Sequence, residues 1–238
     1  MISSDKQEDF ILFLYLYIAI FITLVLPIAG ILGVSYLKRN QTQTNKIIAY
    51  FIIIAMLWLS VALVLSIYSF SDLIYISPIS YSIKIKIIIL TSFVLYIFVT
   101  SFLPLILLRK EKYSLIIKDE FNKKGYINPT TKKEIYYFFF VAITVGICEE
   151  ILFRSFLYTS FTTSHFFDNP HIILLIVNVI FGLVHFLQGY TGMLSNFLLG
   201  VCLSYIFLVT GNLVISIIIH ILIDLKLVYI SRKLSKVY

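Results

Sequence analysis

The chain consists of long apolar runs separated by short polar segments. Seven runs approach the length of a membrane-spanning helix, at 10–37, 47–70, 87–108, 135–160, 171–187, 191–209 and 212–230. A bilayer core about 30 Å thick requires roughly 20 apolar residues per helix, and a helix satisfies its own backbone hydrogen bonds there. The pattern therefore predicts an all-α polytopic membrane protein, with about seven transmembrane helices (six to eight) enclosing an intramembrane site.

The composition agrees with a membrane protein. Of the 238 residues, 60% are hydrophobic and only 13% are charged, which is too few charges for a soluble domain. The first run follows an acidic stretch with Asp5, Glu8 and Asp9, where a secretory signal would carry basic residues. This run is also too long for the apolar part of a signal peptide, so we expect it to remain as the first helix.

The basic residues indicate an orientation. Nearly all loop lysines and arginines fall in the segments 38–46, 109–133 and 232–236, which share one side if every predicted helix crosses the membrane. The positive-inside rule makes that side cytoplasmic and puts the N-terminus outside. Because these basic residues lie beside the predicted membrane exits, the net charge of +7 indicates contact with anionic lipid headgroups. We expect membrane lipid as a partner and no nucleic acid. The chain is rich in Ile, Lys, Phe, Tyr and Asn, whose codons are AT-rich. This composition indicates an AT-rich genome, and we expect a bacterial cell membrane.

A polar segment at 109–134 divides the chain into two predicted regions. Residues 1–134 would hold helices one to three and a cytoplasmic connector, and residues 135–238 a catalytic core with helices four to seven. Cys148 and Cys202 lie within predicted spans, where we expect packing and not a disulfide or a metal site. Charges inside a membrane are costly unless they are paired or functional. The core contains Glu149, Glu150, Arg154, His185, His220, Asp224 and Lys226.

The first polar motif is Glu149-Glu150-Ile-Leu-Phe-Arg154. On an α-helix, Glu150 and Arg154 share one face and can pair, while Glu149 points about 100° away from Glu150. Glu149 is therefore the better candidate for a general base. The alternative is that all three side chains form one structural ion-pair cluster, and this motif alone does not separate the two interpretations.

The second motif is Phe181-Gly182-Leu-Val-His185, in which Asn178, Gly182 and His185 lie on one helix face. Gly182 leaves room beside the imidazole for another backbone or for a substrate. The alternative is a hydrogen-bonded interior histidine. The next helix carries a small and polar stripe that we interpret as structural packing, formed by Gly192, Asn196, Gly200 and Ser204.

The third motif lies in the last helix, where Ser216, His220 and Asp224 are spaced by four and stack along one face. Asp224 can accept the proton of His220 and fix its tautomer. The alternative is an interhelical hydrogen-bond ladder.

In this order, the patterns E-E-x-x-x-R, F-x-x-x-H and H-x-x-x-D resemble the CPBP family, also called the CAAX-protease and bacteriocin-processing or Abi family. The resemblance covers about residues 140–226. It implies an intramembrane peptidase of the type II CAAX prenyl endopeptidase kind. By this resemblance, the catalytic residues are Glu149, His185, His220 and Asp224, and the supporting residues are Glu150, Arg154 and Phe181.

The resemblance also implies roles for these residues. Glu149 and His185 would activate a water, while His220 and residue 224 would polarise the scissile carbonyl and stabilise the oxyanion. Asn is frequent at position 224 in the CAAX-processing branch. An ionised Asp224 cannot donate to an oxyanion, so it would orient His220 or bind a metal.

The resemblance is compatible with a reaction with a metal and with a reaction without one. Glu149, His185 and His220 would suit a catalytic Zn²⁺, as in a metalloprotease. However, the chain has no H-E-x-x-H helix, and the family has also been interpreted as glutamate-dependent without a metal.

We expect an endopeptidase that cleaves a membrane-associated peptide or lipidated protein, with a role in bacteriocin immunity or peptide maturation. One alternative is a non-proteolytic bacteriocin-immunity or partner-binding membrane protein. Another is a proton-coupled transporter that uses the same acids and histidines as a relay.

Overall fold

The computed structural model describes residues 13–164, 167 and 169–235. Six helices in the described residues are long and apolar enough to cross a membrane, which confirms an all-α polytopic membrane fold. A single 3-10 turn, Phe186–Gln188, precedes α8. The helices are α1 (Phe13–Arg39), α2 (Gln43–Leu65), α3 (Phe70–Ile74), α4 (Ile83–Leu107), α5 (Glu111–Lys123), α6 (Lys132–Thr163), α7 (Pro170–Val184), α8 (Gly189–Thr210) and α9 (Leu213–Ser235).

Two of the predicted spans differ from the helices observed. The run at 47–70 is broken after Leu65, and α3 starts separately because Ser69 accepts a hydrogen bond from the Asp72 amide at 3.3 Å and caps the new helix. The run at 171–187 becomes α7, which has 15 residues. Such a helix is about 22 Å long and shorter than a bilayer core. The acidic tail, residues 10–12 of the first run and Lys236 lie outside the described residues.

Wide turns of the π type occur in α1 (Phe21–Val25), α4 (Phe98–Phe102) and α6 (Glu150–Leu157). In α1 and α4 a proline follows two residues later, Pro27 and Pro104. Proline cannot donate the usual backbone hydrogen bond and displaces a carbonyl of the preceding turn, which accounts for a wider turn there. No proline lies between Glu150 and the end of α6. The π segment that carries the first acidic motif therefore has another cause.

The chain divides into two compact units built from separate stretches of sequence. The first contains the described residues up to Ile31, together with Met56–Ile79 and Cys148–Ser216. The second contains Leu32–Ala55, Ser80–Ile147 and Ile217–Tyr238 as far as it is described.

Within the first unit, α7 packs closely against α8. A Cβ atom at Gly182 would lie 3.0 Å from the Met193 carbonyl oxygen and 3.0 Å from Phe197 Cβ. The room that Gly182 leaves is therefore filled by the backbone and side chains of α8. The buried Asn178 Nδ2 donates to Ser204 Oγ at 3.0 Å across the same interface.

The second unit contains a buried ion pair at the start of α6. Lys46 Nζ lies 3.3 Å from Glu134 Oε2 and donates to the Asn128 carbonyl oxygen at 3.2 Å. Glu134 and Thr131 form a capping box, because the Glu134 amide donates to Thr131 Oγ1 at 3.2 Å and the Thr131 amide to Glu134 Oε2 at 3.3 Å. Lys46 counted as a cytoplasmic loop charge in the sequence pattern, and here it is buried and neutralised.

Both cysteines have free thiols and are buried, Cys148 in α6 and Cys202 in α8. The expectation that they pack in the interior is confirmed.

Candidate active site

Glu149 is the last α-helical residue of α6 before the π segment begins at Glu150. The Glu150 and Arg154 side chains are both fully buried, and Arg154 Nη1 lies 3.2 Å from Glu150 Oε1. The predicted pair between these two residues is therefore present, although the helix that carries it is wider than an α-helix. The side chain of Glu149 differs from that of Glu150, because 15% of its surface is exposed.

Aromatic rings and a glycine surround the buried guanidinium. Arg154 Cζ lies 3.9 Å from the centre of the Phe181 ring, and the Phe153 ring meets Phe181 edge to face at 5.0 Å. A Cβ atom at Gly200 would come within 3.1 Å of Arg154 Nη2 and within 2.9 Å of Phe181 Cδ1. Gly200 thus makes the space in which α8 can pass the arginine.

His185 follows the last residue of α7, with φ −91° and ψ 15°. Its Nδ1 lies 2.7 Å from the Phe181 carbonyl oxygen. A carbonyl oxygen only accepts, so Nδ1 carries the hydrogen in this bond. Nε2 points towards Glu149 and lies 3.9 Å from Oε2. The Phe181 ring supports the imidazole at 4.7 Å between ring centres.

The distance between Glu149 and His185 leaves room for a water molecule that both side chains can bind. At 3.9 Å the two atoms are too far apart for a direct hydrogen bond. With Nδ1 protonated, the neutral imidazole has an acceptor lone pair at Nε2, and an ionised carboxylate is also an acceptor. Two acceptors at this distance can both accept from one water molecule. Both side chains are partly accessible, since 15% of each is exposed.

The third motif lies on α9. The His220 side chain is buried, and its Nε2 lies 3.7 Å from Asp224 Oδ2, which is longer than a hydrogen bond. A carboxylate at this distance still attracts positive charge on the imidazole. Ser216 Oγ donates to the Leu203 carbonyl oxygen of α8 at 3.0 Å, so Ser216 is an interhelical packing contact.

The structure thus pairs the candidates in two sets, Glu149 with His185 and His220 with Asp224. The packing stripe predicted on α8 is present at its C-terminal part, where Gly200 and Ser204 contact α7. Towards its N-terminus the stripe contacts the preceding turn, because Asn196 Nδ2 donates to Gln188 Oε1 at 3.0 Å. Sequence reasoning missed the specific role of Gly200 beside the arginine, for which the spacing to Ser204 was the only signal.

The donor set bears on whether a zinc ion fits. Among the described residues, no three side chains of the histidine, cysteine, aspartate and glutamate types come together as a metal site would require. Glu149 Oε2 and His185 Nε2 are two donors, and a catalytic zinc takes about three protein ligands. Glu149 and His185 by themselves therefore do not complete such a ligand set.

Comparison with protein-family models matches residues 131–225 to a family described as type II CAAX prenyl endopeptidase Rce1-like. No curated protein and no solved structure matches the chain. The matched residues contain all three motifs, from Glu149 to Asp224. The match supports the CPBP, or CAAX-protease, family for this part of the chain, and the class of activity that it suggests is that of an intramembrane protease.

Proposed function

We propose that this protein is a CAAX-protease-like intramembrane endopeptidase that hydrolyses a peptide bond in a membrane-associated peptide or a lipidated protein. The observation that carries the proposal is the pairing of Glu149 with His185 across 3.9 Å, within residues that match a protease family. A carboxylate and a histidine that can hold one water between them supply a positioned general base for hydrolysis.

In the proposed reaction, a water donates one hydrogen to Glu149 Oε2 and the other to His185 Nε2. Glu149 takes a proton as the water oxygen attacks the carbonyl carbon of the scissile bond. The tetrahedral intermediate then collapses, the C–N bond breaks, and the proton passes to the leaving amine. The hydrogen bond from His185 Nδ1 to the Phe181 carbonyl oxygen keeps Nε2 free of hydrogen and turned to the water.

His220 and Asp224 complete the proposal through the family resemblance. Charge develops on the carbonyl oxygen in the transition state, and a protonated imidazole stabilises it. Asp224 lies 3.7 Å from His220 Nε2 and would stabilise the positive charge on that ring. This gives an acid a role at a position where asparagine is frequent in the CAAX-processing branch.

Glu150 and Arg154 act as positioning residues in this proposal. Their buried pair fixes the start of the π segment and, with it, the neighbouring Glu149. Wide helical turns of this type are frequent at functional sites. An N-terminus outside, a bacterial cell membrane, and a role in bacteriocin immunity or peptide maturation remain parts of the proposal.

The test is cleavage by purified protein in lipid vesicles. Membrane-anchored peptides, with and without a C-terminal prenyl group, would be incubated with wild type and with E149Q, H185Q and H220Q, and the products identified by mass spectrometry. Because a general base contributes about 10²–10⁴-fold, we expect E149Q to lose at least about 100-fold in rate. E120Q, at an exposed acid of α5, is the matched control.

Equal cleavage by wild type and E149Q would refute the proposed base. If the wild type cleaves no peptide and E149Q still protects cells from a bacteriocin, the fold has a non-proteolytic role. Cleavage restricted to the prenylated peptides would identify the substrate as a lipidated protein.

A further inference from the structure

The membrane-facing surface between α2 and the start of α6 contains an aromatic groove. Its volume is about 210 Å³, below the roughly 300–1,000 Å³ of typical small-molecule sites, so it holds a segment of a chain and not a whole ligand. The groove is lined by Tyr50, Phe51, Ile54, Tyr136, Tyr137 and Phe140.

The groove is formed by aromatic rings in contact and is open on its outer side. The Tyr136 ring meets those of Tyr137 and Phe140 at 5.4 and 5.3 Å, and the Phe51 ring meets Tyr137 at 5.3 Å. Phe51, Tyr136 and Phe140 are exposed. A concave apolar surface between rings that meet edge to face or tilted offers van der Waals contacts to an alkyl chain of a lipid.

Two lysines lie directly above the groove. Lys132 precedes Tyr136 by four residues and Lys133 precedes Tyr137 by four, so each lysine lies one helical turn before a groove residue on the same face. Both lysines are exposed, and the ion pairs found among the described residues include neither of them. The nearby Lys46 contributes no free charge, because Glu134 neutralises it.

The top of the groove is fixed between the two helices. Gln43 Nε2 of α2 donates to Thr131 Oγ1 at 2.6 Å, and Thr131 belongs to the capping box of α6. The bridge and the cap join the start of α6, which carries the two lysines, to the start of α2. A headgroup bound by the lysines would leave its acyl chain at the groove entrance.

We propose that this groove is a specific site for one anionic glycerophospholipid, with its phosphate at Lys132 and Lys133 and part of one acyl chain between the rings. An ordinary belt of interfacial aromatic residues would accept any lipid. The pair of unneutralised lysines above a shaped groove instead selects for negative charge. Each lysine near a membrane surface contributes about 1 kcal/mol, or about five-fold, to the preference for an anionic lipid.

The test uses a tryptophan in the groove and lipids with brominated acyl chains, which quench tryptophan fluorescence on contact. Trp58 is the only tryptophan in the sequence, so the W58F/F140W variant reports from the groove alone. It would be reconstituted in phosphatidylcholine vesicles and titrated with brominated phosphatidylglycerol or brominated phosphatidylcholine. We expect phosphatidylglycerol to quench at a low mole fraction and to saturate, and phosphatidylcholine to quench in proportion to its mole fraction.

Replacing the two lysines tests whether they select the anionic lipid. K132Q/K133Q, built into the reporter variant, should abolish the saturable quenching by phosphatidylglycerol. The matched control K110Q/K112Q removes the same charge from exposed residues at the start of α5 and should retain it. Identical curves for the two lipids in the reporter protein, or equal losses in both lysine variants, would show that the groove contacts only bulk lipid and would overturn the proposal.

Discussion

The buried pair of Glu150 and Arg154 allows a structural acid, Glu150, to be distinguished by experiment from the proposed catalytic acid, Glu149. The two acids are adjacent in sequence, yet Glu150 is fully buried against an arginine and Glu149 faces His185. We predict that E150Q destabilises the protein, whereas E149Q removes activity and leaves stability close to that of the wild type. The double variant E150M/R154M should recover most of the stability that E150Q loses.

The magnitude follows from the geometry of the pair. At 3.2 Å and an effective dielectric constant of about 20, the gross Coulomb attraction is about 5 kcal/mol. Removing one partner leaves the other charge buried and typically costs about 3–5 kcal/mol. For a chain of this size, the unfolding temperature should fall by roughly 6–20 °C. Replacing both partners by apolar residues removes the buried charge together with the attraction, and the net change is small.

The buried thiols of the chain provide the assay. Cys148 and Cys202 are free and buried, so a thiol-reactive dye reports unfolding in detergent as the temperature rises. E120Q is the matched control, because Glu120 makes an exposed pair with Lys123 at 2.8 Å, and exposed pairs contribute little. We expect no shift for E120Q.

Two results would refute this reasoning. If E150Q unfolds at the wild-type temperature, the pair does not stabilise the π segment. If E150M/R154M is no more stable than E150Q, the loss in the single variant comes from packing and not from an uncompensated charge.

Three further measurements test the packing, the role of Asp224 and the absence of a metal step. G200A should lower the free energy of unfolding by about 1–3 kcal/mol, because its Cβ would overlap Asn178 and Phe181. The control G33A, whose Cβ meets nothing within 4 Å, should not lower it. Equal shifts in unfolding temperature for the two variants would contradict this prediction. D224N should lower the cleavage rate about 10–100-fold, the usual range for losing a carboxylate that supports a functional histidine, because a neutral amide would not stabilise positive charge on His220. Thermal unfolding should be unchanged, and a wild-type rate would exclude that role. Dialysis against a chelator should leave cleavage intact, and a loss that added Zn²⁺ restores would contradict the metal-free reaction.

The sequence alone determined the class of fold and the candidate residues. Runs of about 20 apolar residues have one stable solution in a bilayer, because only a helix satisfies its backbone there. The four-residue spacing from Glu150 to Arg154 was enough to predict their pairing, since it places both on one helical face. The order of the three motifs was also readable without coordinates, and the family match confirmed the resemblance.

Only the tertiary structure decided the course of α6 and the distances between side chains on different helices. The π segment of α6 is not followed by a proline, unlike those of α1 and α4. Sequence reasoning that assumed 3.6 residues per turn therefore could not predict it. The 3.9 Å between Glu149 and His185 depends on how α7 ends beside α6, which is a property of packing between helices. Lys46 looked like a loop charge, and its burial against Glu134 follows from an interaction across 88 residues. Local sequence carries no information about such a contact, because its partners are brought together only by the folded chain.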